Sequence, residues 1–200
     1  FSGAALLTHI LADISLPLAL SLFAALLLLA VLSILRRASG PDRSRIARIA
    51  AVAAVTGISA TLLYDGTKAL LSLLDPTPYN PFEAASAFGR ALLGAAAPPA
   101  AIQVTGWAFH LLNGTCFGIA FGFLFAREGR TSAVYALLTG MGWGLFLELF
   151  QLTLYPGWLD IRFYEEFARI SAVSHLVYGA TLGVACRLGL RVALSAEGLV

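Results

Sequence analysis

The sequence predicts an all-α polytopic membrane protein with five transmembrane helices. Of its 200 residues, 59% are apolar and 12% are charged, whereas a soluble domain carries roughly a quarter charged residues. The mean hydropathy is +0.84. Five segments reach the length of about 20 mostly apolar residues that a spanning helix needs. These predicted spans one to five are 16–35 (which could start as early as residue 4), 46–74, 104–126, 132–155 and 167–190.

The basic residues alternate in a way that fits five spans. One lysine and twelve arginines stand against eleven acidic residues, so the net charge is +2. This small net charge argues against nucleic acid as a partner. Nine of these side chains fall on one side of the five-span arrangement, and such an excess marks the cytoplasmic side. They are Arg36, Arg37, Arg43, Arg45, Arg48, Arg127, Arg130, Arg187 and Arg191. We therefore expect an outside N-terminus and a cytoplasmic C-terminus in a bacterial inner membrane, the source being inferred from the Arg-rich, Lys-poor composition.

The longest outer loop is predicted to contain a short interfacial helix. Pro76, Pro78 and Pro81 should end span two. Beyond them, polar side chains share one helical face and apolar side chains cover the rest, up to Pro98. We find no soluble domain or convincing repeat, so residues 1–200 are interpreted as a single transmembrane domain.

Spans two to five each carry a stripe of small residues four apart. Residues at this spacing share one helix face, and small side chains let helices approach closely in lipid. Each stripe also contains one ionisable side chain. The stripes are 53, 57, 61, 65 and 69; 106, 110, 114, 118 and 122; 140, 144 and 148; and 171, 175, 179 and 183. Spans two to five should therefore form a tight antiparallel bundle, with the Leu- and Ala-rich span one outside it.

The four ionisable residues of the stripes define the candidate site. With a rise of about 1.5 Å per residue, they lie roughly 8–14 Å inside the outer ends of their helices. Charges at such depth are costly, so they are normally paired or functional. We predict a metal site formed by His110, Glu148, His175 and Asp65. We predict cofactor binding by His110, His175, Asn113 and Tyr178, with Gln151 among the neighbours that orient them.

Structural explanations compete with this site. Asp65 and Lys68, three residues apart, could form an ion pair. Glu148 could bind Gln151 between helices, and each histidine could donate to a carbonyl or a carboxylate and hold the bundle in register.

Three functions follow from the pattern. The first is an accessory or binding subunit of a membrane complex, which would contact lipid and, through span one, other membrane subunits. The second is a protein that binds a transition metal or a haem, with the two histidines as haem ligands. The third is a proton-coupled transporter, since intramembrane Asp, Glu and His are typical relay groups.

Two short motifs resemble small bacterial inner-membrane proteins of the YagU-like kind. The first runs from Gly106 to Gly114 and continues to Gly118. The second contains His175, Tyr178, Gly179 and Gly183. The resemblance covers about two fifths of the chain in motifs of low specificity. It implies a fold in which a His-bearing helix with spaced glycines lies near the end, and it implies no reaction.

Overall fold

The computed structural model describes residues 1–77, 79–125 and 130–195. Within these ranges the chain consists of helices and short connections and contains no strand. The helices are α1 Ser2–Ala12, α2 Leu16–Arg37, α3 Gly40–Leu74, α4 Glu83–Leu93, α5 Pro99–Leu124, α6 Ala133–Leu159 and α7 Tyr164–Ser195. Five of them, α2, α3, α5, α6 and α7, are long and apolar enough to cross a membrane. The predicted all-α fold with five spans is confirmed.

The four bundle helices stand in a row. Helix α5 packs on α3, α3 packs on α7, and α7 packs on α6. Since successive spans alternate in direction, every neighbour in this row is antiparallel. Helix α2 packs mainly on α1 and α4, and of its residues only Leu16 and Ala19 are buried. The bundle thus has an arginine-rich end and an opposite end that carries α4, which we call the α4 end.

Several helices extend beyond their predicted bounds. Helix α3 starts within the arginine-rich segment, because Ser39 Oγ accepts from the Asp42 amide and Pro41 occupies the first turn. Helix α6 continues past Pro156 and ends at Leu159. The next residue, Asp160, has a left-handed φ of 51°. Ala126, at the end of predicted span three, lies outside the described residues, as do Pro78 and Arg127.

The first residues form a separate helix that folds back on α2. Helix α1 ends at Asp13, which has a left-handed φ of 54°, and Ser15 and Pro17 then start α2. The extension of span one back to residue 4 is therefore wrong. Ser2, Ala5 and Leu6 are buried, so one face of α1 packs against the rest of the structure. Which side of a membrane each end faces stays a prediction.

The predicted small-residue stripes form two of the helix interfaces. Between α3 and α5, Gly57 packs on the backbone of Gly114 and Gly118. A position four residues later in α3 contacts a position four residues earlier in α5, since Gly57 meets Gly118 and Thr61 meets Gly114. Between α6 and α7, the facing pairs follow the same rule and are Ala136 with Gly183, Gly140 with Gly179, and Gly144 with His175. Added side chains would separate these backbones.

The predicted short helix in the long loop is present as α4. Its buried residues are Ala85, Ala87, Phe88 and Gly89. A Cβ at Gly89 would collide with the Ile102 carbonyl of α5, and a Cβ at Gly106 would collide with the Ala85 carbonyl of α4. Helix α4 is therefore packed tightly against α5, where it covers the α4 end of the bundle.

Substitution of the α6 stripe should separate α6 from α7. In Gly140→Ala, the new Cβ collides with the Gly179 carbonyl, so we expect a loss of about 1–3 kcal/mol of stability. Gly142→Ala is the matched control, because nothing lies within 4 Å of a Cβ there and alanine favours a helix over glycine. Thermal unfolding in detergent measures both. Equal midpoints for the two variants would contradict the packing.

Candidate functional site

The first polar pair joins α3 and α5. His110 Nε2 lies 2.9 Å from Asp65 Oδ1 and 3.2 Å from Oδ2. The side chains are 21% and 14% exposed, so both are mostly withdrawn from the surroundings of the bundle. The pair continues the register of the two stripes, one turn beyond the contact of Thr61 with Gly114.

The second polar pair joins α6 and α7. His175 Nδ1 lies 2.7 Å from Glu148 Oε2 and 3.1 Å from the Ser171 carbonyl. Since a carbonyl only accepts, this nitrogen carries a hydrogen. Ser171 Oγ lies 2.7 Å from Glu148 Oε2 and 3.1 Å from Gln151 Oε1. The shorter contact takes the single hydroxyl hydrogen, so Ser171 donates to Glu148 Oε2, which His175 Nδ1 also contacts.

Tyr64 connects the two pairs. Its ring centroid lies 6.0 Å from that of His110 and 4.7 Å from that of His175, and the Lys68 ammonium lies 5.0 Å from its centre. The expected Asp65–Lys68 ion pair is not formed, because Asp65 binds His110 instead. Through Tyr64, all four predicted ionisable residues belong to one polar layer.

A cavity of about 270 Å³ adjoins this layer. It is lined by the four predicted cofactor-binding residues and by Asp65: His110, Asn113, His175, Tyr178 and Asp65. Glu148 does not line the cavity and is 2% exposed, so it supports His175 from behind. Tyr178 donates its hydroxyl to the Gly114 carbonyl at 3.1 Å and thereby joins α7 to α5.

Three buried polar atoms near the cavity lack partners. Within the described ranges, Tyr64 Oη, Asn113 Oδ1 and Glu148 Oε1 make no hydrogen bond. Leaving such an atom unpaired costs about 1–3 kcal/mol. Tyr64 and Asn113 both line the cavity, although these two atoms themselves are buried beneath its surface.

The predicted metal ligands do not converge. They divide into two His–carboxylate pairs, each of which has its histidine ring next to Tyr64. Among residues 1–77, 79–125 and 130–195, no three His, Cys, Asp or Glu side chains are placed to hold a metal ion. The reason is the register, because each stripe brings its ionisable residue to the facing stripe and not to the bundle centre.

A further ion pair closes the α4 end of the bundle. Arg169 of α7 binds Asp75, which follows α3. Hydrogen bonds from the Thr77 hydroxyl and amide, together with the Arg169 guanidinium, hold the pKa of Asp75 below its usual range. Nearby, burial raises the pKa of Tyr79 to about 12, so its phenol stays neutral at physiological pH.

Comparison of the chain with family models, with curated proteins and with solved structures finds no match. The resemblance to YagU-like proteins stays a prediction.

Sequence reasoning missed Tyr64 and gave Ser171 no role in the site. A signal for Tyr64 exists, because the buried residues of α3 include Gly57, Thr61, Tyr64 and Lys68, whose spacing of four, three and four follows one helix face. The strict spacing of four favours Asp65 over Tyr64, although Asp65 lies at the edge of the buried face. No signal in the sequence shows that Tyr64 contacts both histidines.

Removal of Glu148 should destabilise the bundle. In Glu148→Leu, His175 and Ser171 lose their shared acceptor, and breaking a buried pair from one side costs about 3 kcal/mol. Glu148→Gln keeps one acceptor oxygen and should lose less. The exposed Glu165→Gln, also a carboxylate replacement, is the control and should unfold like the parent chain. Thermal unfolding in detergent ranks the four proteins, and a Leu variant as stable as the control would refute the role of Glu148.

The Asp75–Arg169 pair should make stability depend on pH. Because the pKa of Asp75 is lower in the folded chain, its contribution is complete above the ordinary value of about 3.9 and is lost as the pH falls through the folded value. The parent chain should therefore melt higher than Asp75→Asn at pH 6, and the gap should narrow as the pH falls below about 3.9. Unfolding midpoints across this range test it, and a gap that persists in acid would contradict the assignment.

Proposed function

We propose that this chain is a binding subunit of a membrane complex and that its cavity accepts an amphipathic small molecule. The main support is that the cavity has a polar and an apolar wall. Apart from Gln151 of α6, the polar wall comes from α3, α5 and α7 and includes Tyr64, Asp65, Lys68, His110, Asn113 and His175. The apolar wall comes mainly from α1, α4 and α6 and includes Leu6, Phe88, Phe146, Phe150 and Leu154.

Such a division suits a ligand that has a polar head and a hydrocarbon part. Ligand sites are typically mostly apolar, with a few polar groups that fix orientation. The head would meet polar side chains of the lining such as Lys68, Asp65 and His110, while the hydrocarbon part would lie along α6. Each histidine would present to the ligand the edge of a ring already oriented by its carboxylate.

Binding accounts for more of the geometry than the alternatives do. A metal ion would use the histidines but not the apolar wall, and proton-coupled transport would use the pairs but not the apolar wall. The binding proposal uses both walls.

Helix α2 offers the surface for the rest of the complex. It is long enough to span, yet its leucines are largely exposed, among them Leu22, Leu29 and Leu32. We propose that this face contacts lipid and other membrane subunits in a bacterial cytoplasmic membrane, with the arginine-rich end in the cytoplasm.

A substitution that fills the cavity should prevent binding. Ala84 of α4 lines the cavity, so Ala84→Trp should displace the ligand. Ala24→Trp places the same ring on the exposed face of α2 and is the control. We expect native mass spectrometry of protein purified from bacterial membranes to show one retained amphiphile on the parent chain and on the control, and little on Ala84→Trp. Equal retention by both Trp variants, or no retained amphiphile on the parent chain, would overturn the proposed function.

A further inference from the structure

Lys68, the only lysine of the chain, is buried without a carboxylate partner. It is 5% exposed, and within the described residues no ion pair includes it. A buried cation normally needs a paired anion. The nearby carboxylates are engaged elsewhere, since both oxygens of Asp65 face His110 and Glu148 Oε2 accepts from α7.

The orientation of Lys68 places its charge toward the cavity. Lysines near helix ends usually extend toward the membrane surface. Lys68 instead bends back by one turn, so that its ammonium lies over the Tyr64 ring at 5.0 Å from the centroid. This cation–π contact stabilises the ammonium but supplies no hydrogen-bond acceptor. Lys68 itself lines the cavity.

Two further residues of the cavity lining carry buried polar atoms. The Tyr64 hydroxyl is buried and makes no hydrogen bond in the described chain, while its ring lines the cavity. Asn113, 8% exposed, also lacks a partner at Oδ1, and its side-chain amide has donors as well as an acceptor. A negatively charged oxygen placed beside Lys68 would meet the ammonium at the face of the Tyr64 ring.

We infer that the ligand of this cavity is an amphiphile with an acidic head group, a carboxylate or a phosphate, and that Lys68 is its ion partner. This inference rests on the proposed function and specifies its ligand class. Hydrogen bonds that involve a charged group are roughly twice as strong as neutral ones. The acidic oxygen would bind Lys68 Nζ, and the hydrocarbon chain would lie against Phe146, Phe150 and Leu154.

The test compares an acidic with a neutral amphiphile of the same chain length. Oleate and monoolein are titrated against the parent protein in nanodiscs of a zwitterionic lipid, and bound amphiphile is counted by native mass spectrometry. The parent chain should prefer oleate. Lys68→Gln should weaken oleate binding by about tenfold or more and leave monoolein unchanged, while Lys68→Arg keeps the charge and should retain most oleate binding. Arg162→Gln removes an exposed cation and is the control for net charge.

Each result separates the two proposals. Monoolein binding as well as oleate on the parent chain, or unchanged oleate binding in Lys68→Gln, would overturn the acidic-head inference and leave the proposed function standing. Binding of neither amphiphile would overturn both. Acetate and inorganic phosphate identify the source of the anion. If either displaces oleate at equal concentration, the site takes a free anion and the amphiphile assignment fails, whereas we expect no displacement because neither ion contacts the apolar wall.

Discussion

The antiparallel register of small residues is the constraint on which the site depends. In lipid, helices gain little from burying apolar side chains against each other, so close backbone contact determines which helices associate and at what height. Gly57 meets Gly118 across α3 and α5, and Gly140 meets Gly179 across α6 and α7. Once these contacts are made, Asp65 is brought level with His110, and Glu148 is brought level with Ser171 and near His175. Glycine packing thus creates the polar pairs, although glycine has no polar side chain.

The two interfaces use their polar pairs differently. The Asp65–His110 pair lies beside the cavity and is partly exposed, so a ligand can contact it. In the Glu148–His175 pair, Glu148 is buried behind His175, and Ser171 donates to its carboxylate oxygen. A buried acid held by two side chains of α7 fixes the rotation of α7 about its axis. That rotation also directs Tyr178 toward α5, where its hydroxyl binds Gly114.

Much of the fold could be predicted because its signals are local. Length and hydropathy predict the five spans, and the four-residue stripes predict which faces of α3, α5, α6 and α7 are buried. The turn after α1 also has a local signal, a serine at 15 followed by Pro17, but the apolar composition on both sides made the segment resemble one helix. The pairing of stripes could not be predicted, because α3 packs on both α5 and α7 and the sequence does not rank its possible neighbours. For this reason four ionisable residues at one depth were expected to form one cluster, whereas the structure divides them into two pairs.

The cavity persists because the helices around it cannot close further. Backbone contact already fixes α5 on α3 and α6 on α7, so α5 and α6 remain at opposite ends of the row. Toward the arginine-rich end, Trp143 of α6 packs on Phe121 of α5 and on Phe125, which follows α5. These rings lie between the two helices and keep their backbones apart. Toward the α4 end, Phe88 packs between Phe109 and residues of α6 and has the same effect. The space between these aromatic groups is where Lys68, Tyr64 and Asn113 face an apolar wall. A hydrophobic side chain large enough to fill it would leave their polar atoms unpaired, so a molecule with both polar and apolar parts satisfies this space better than further packing would.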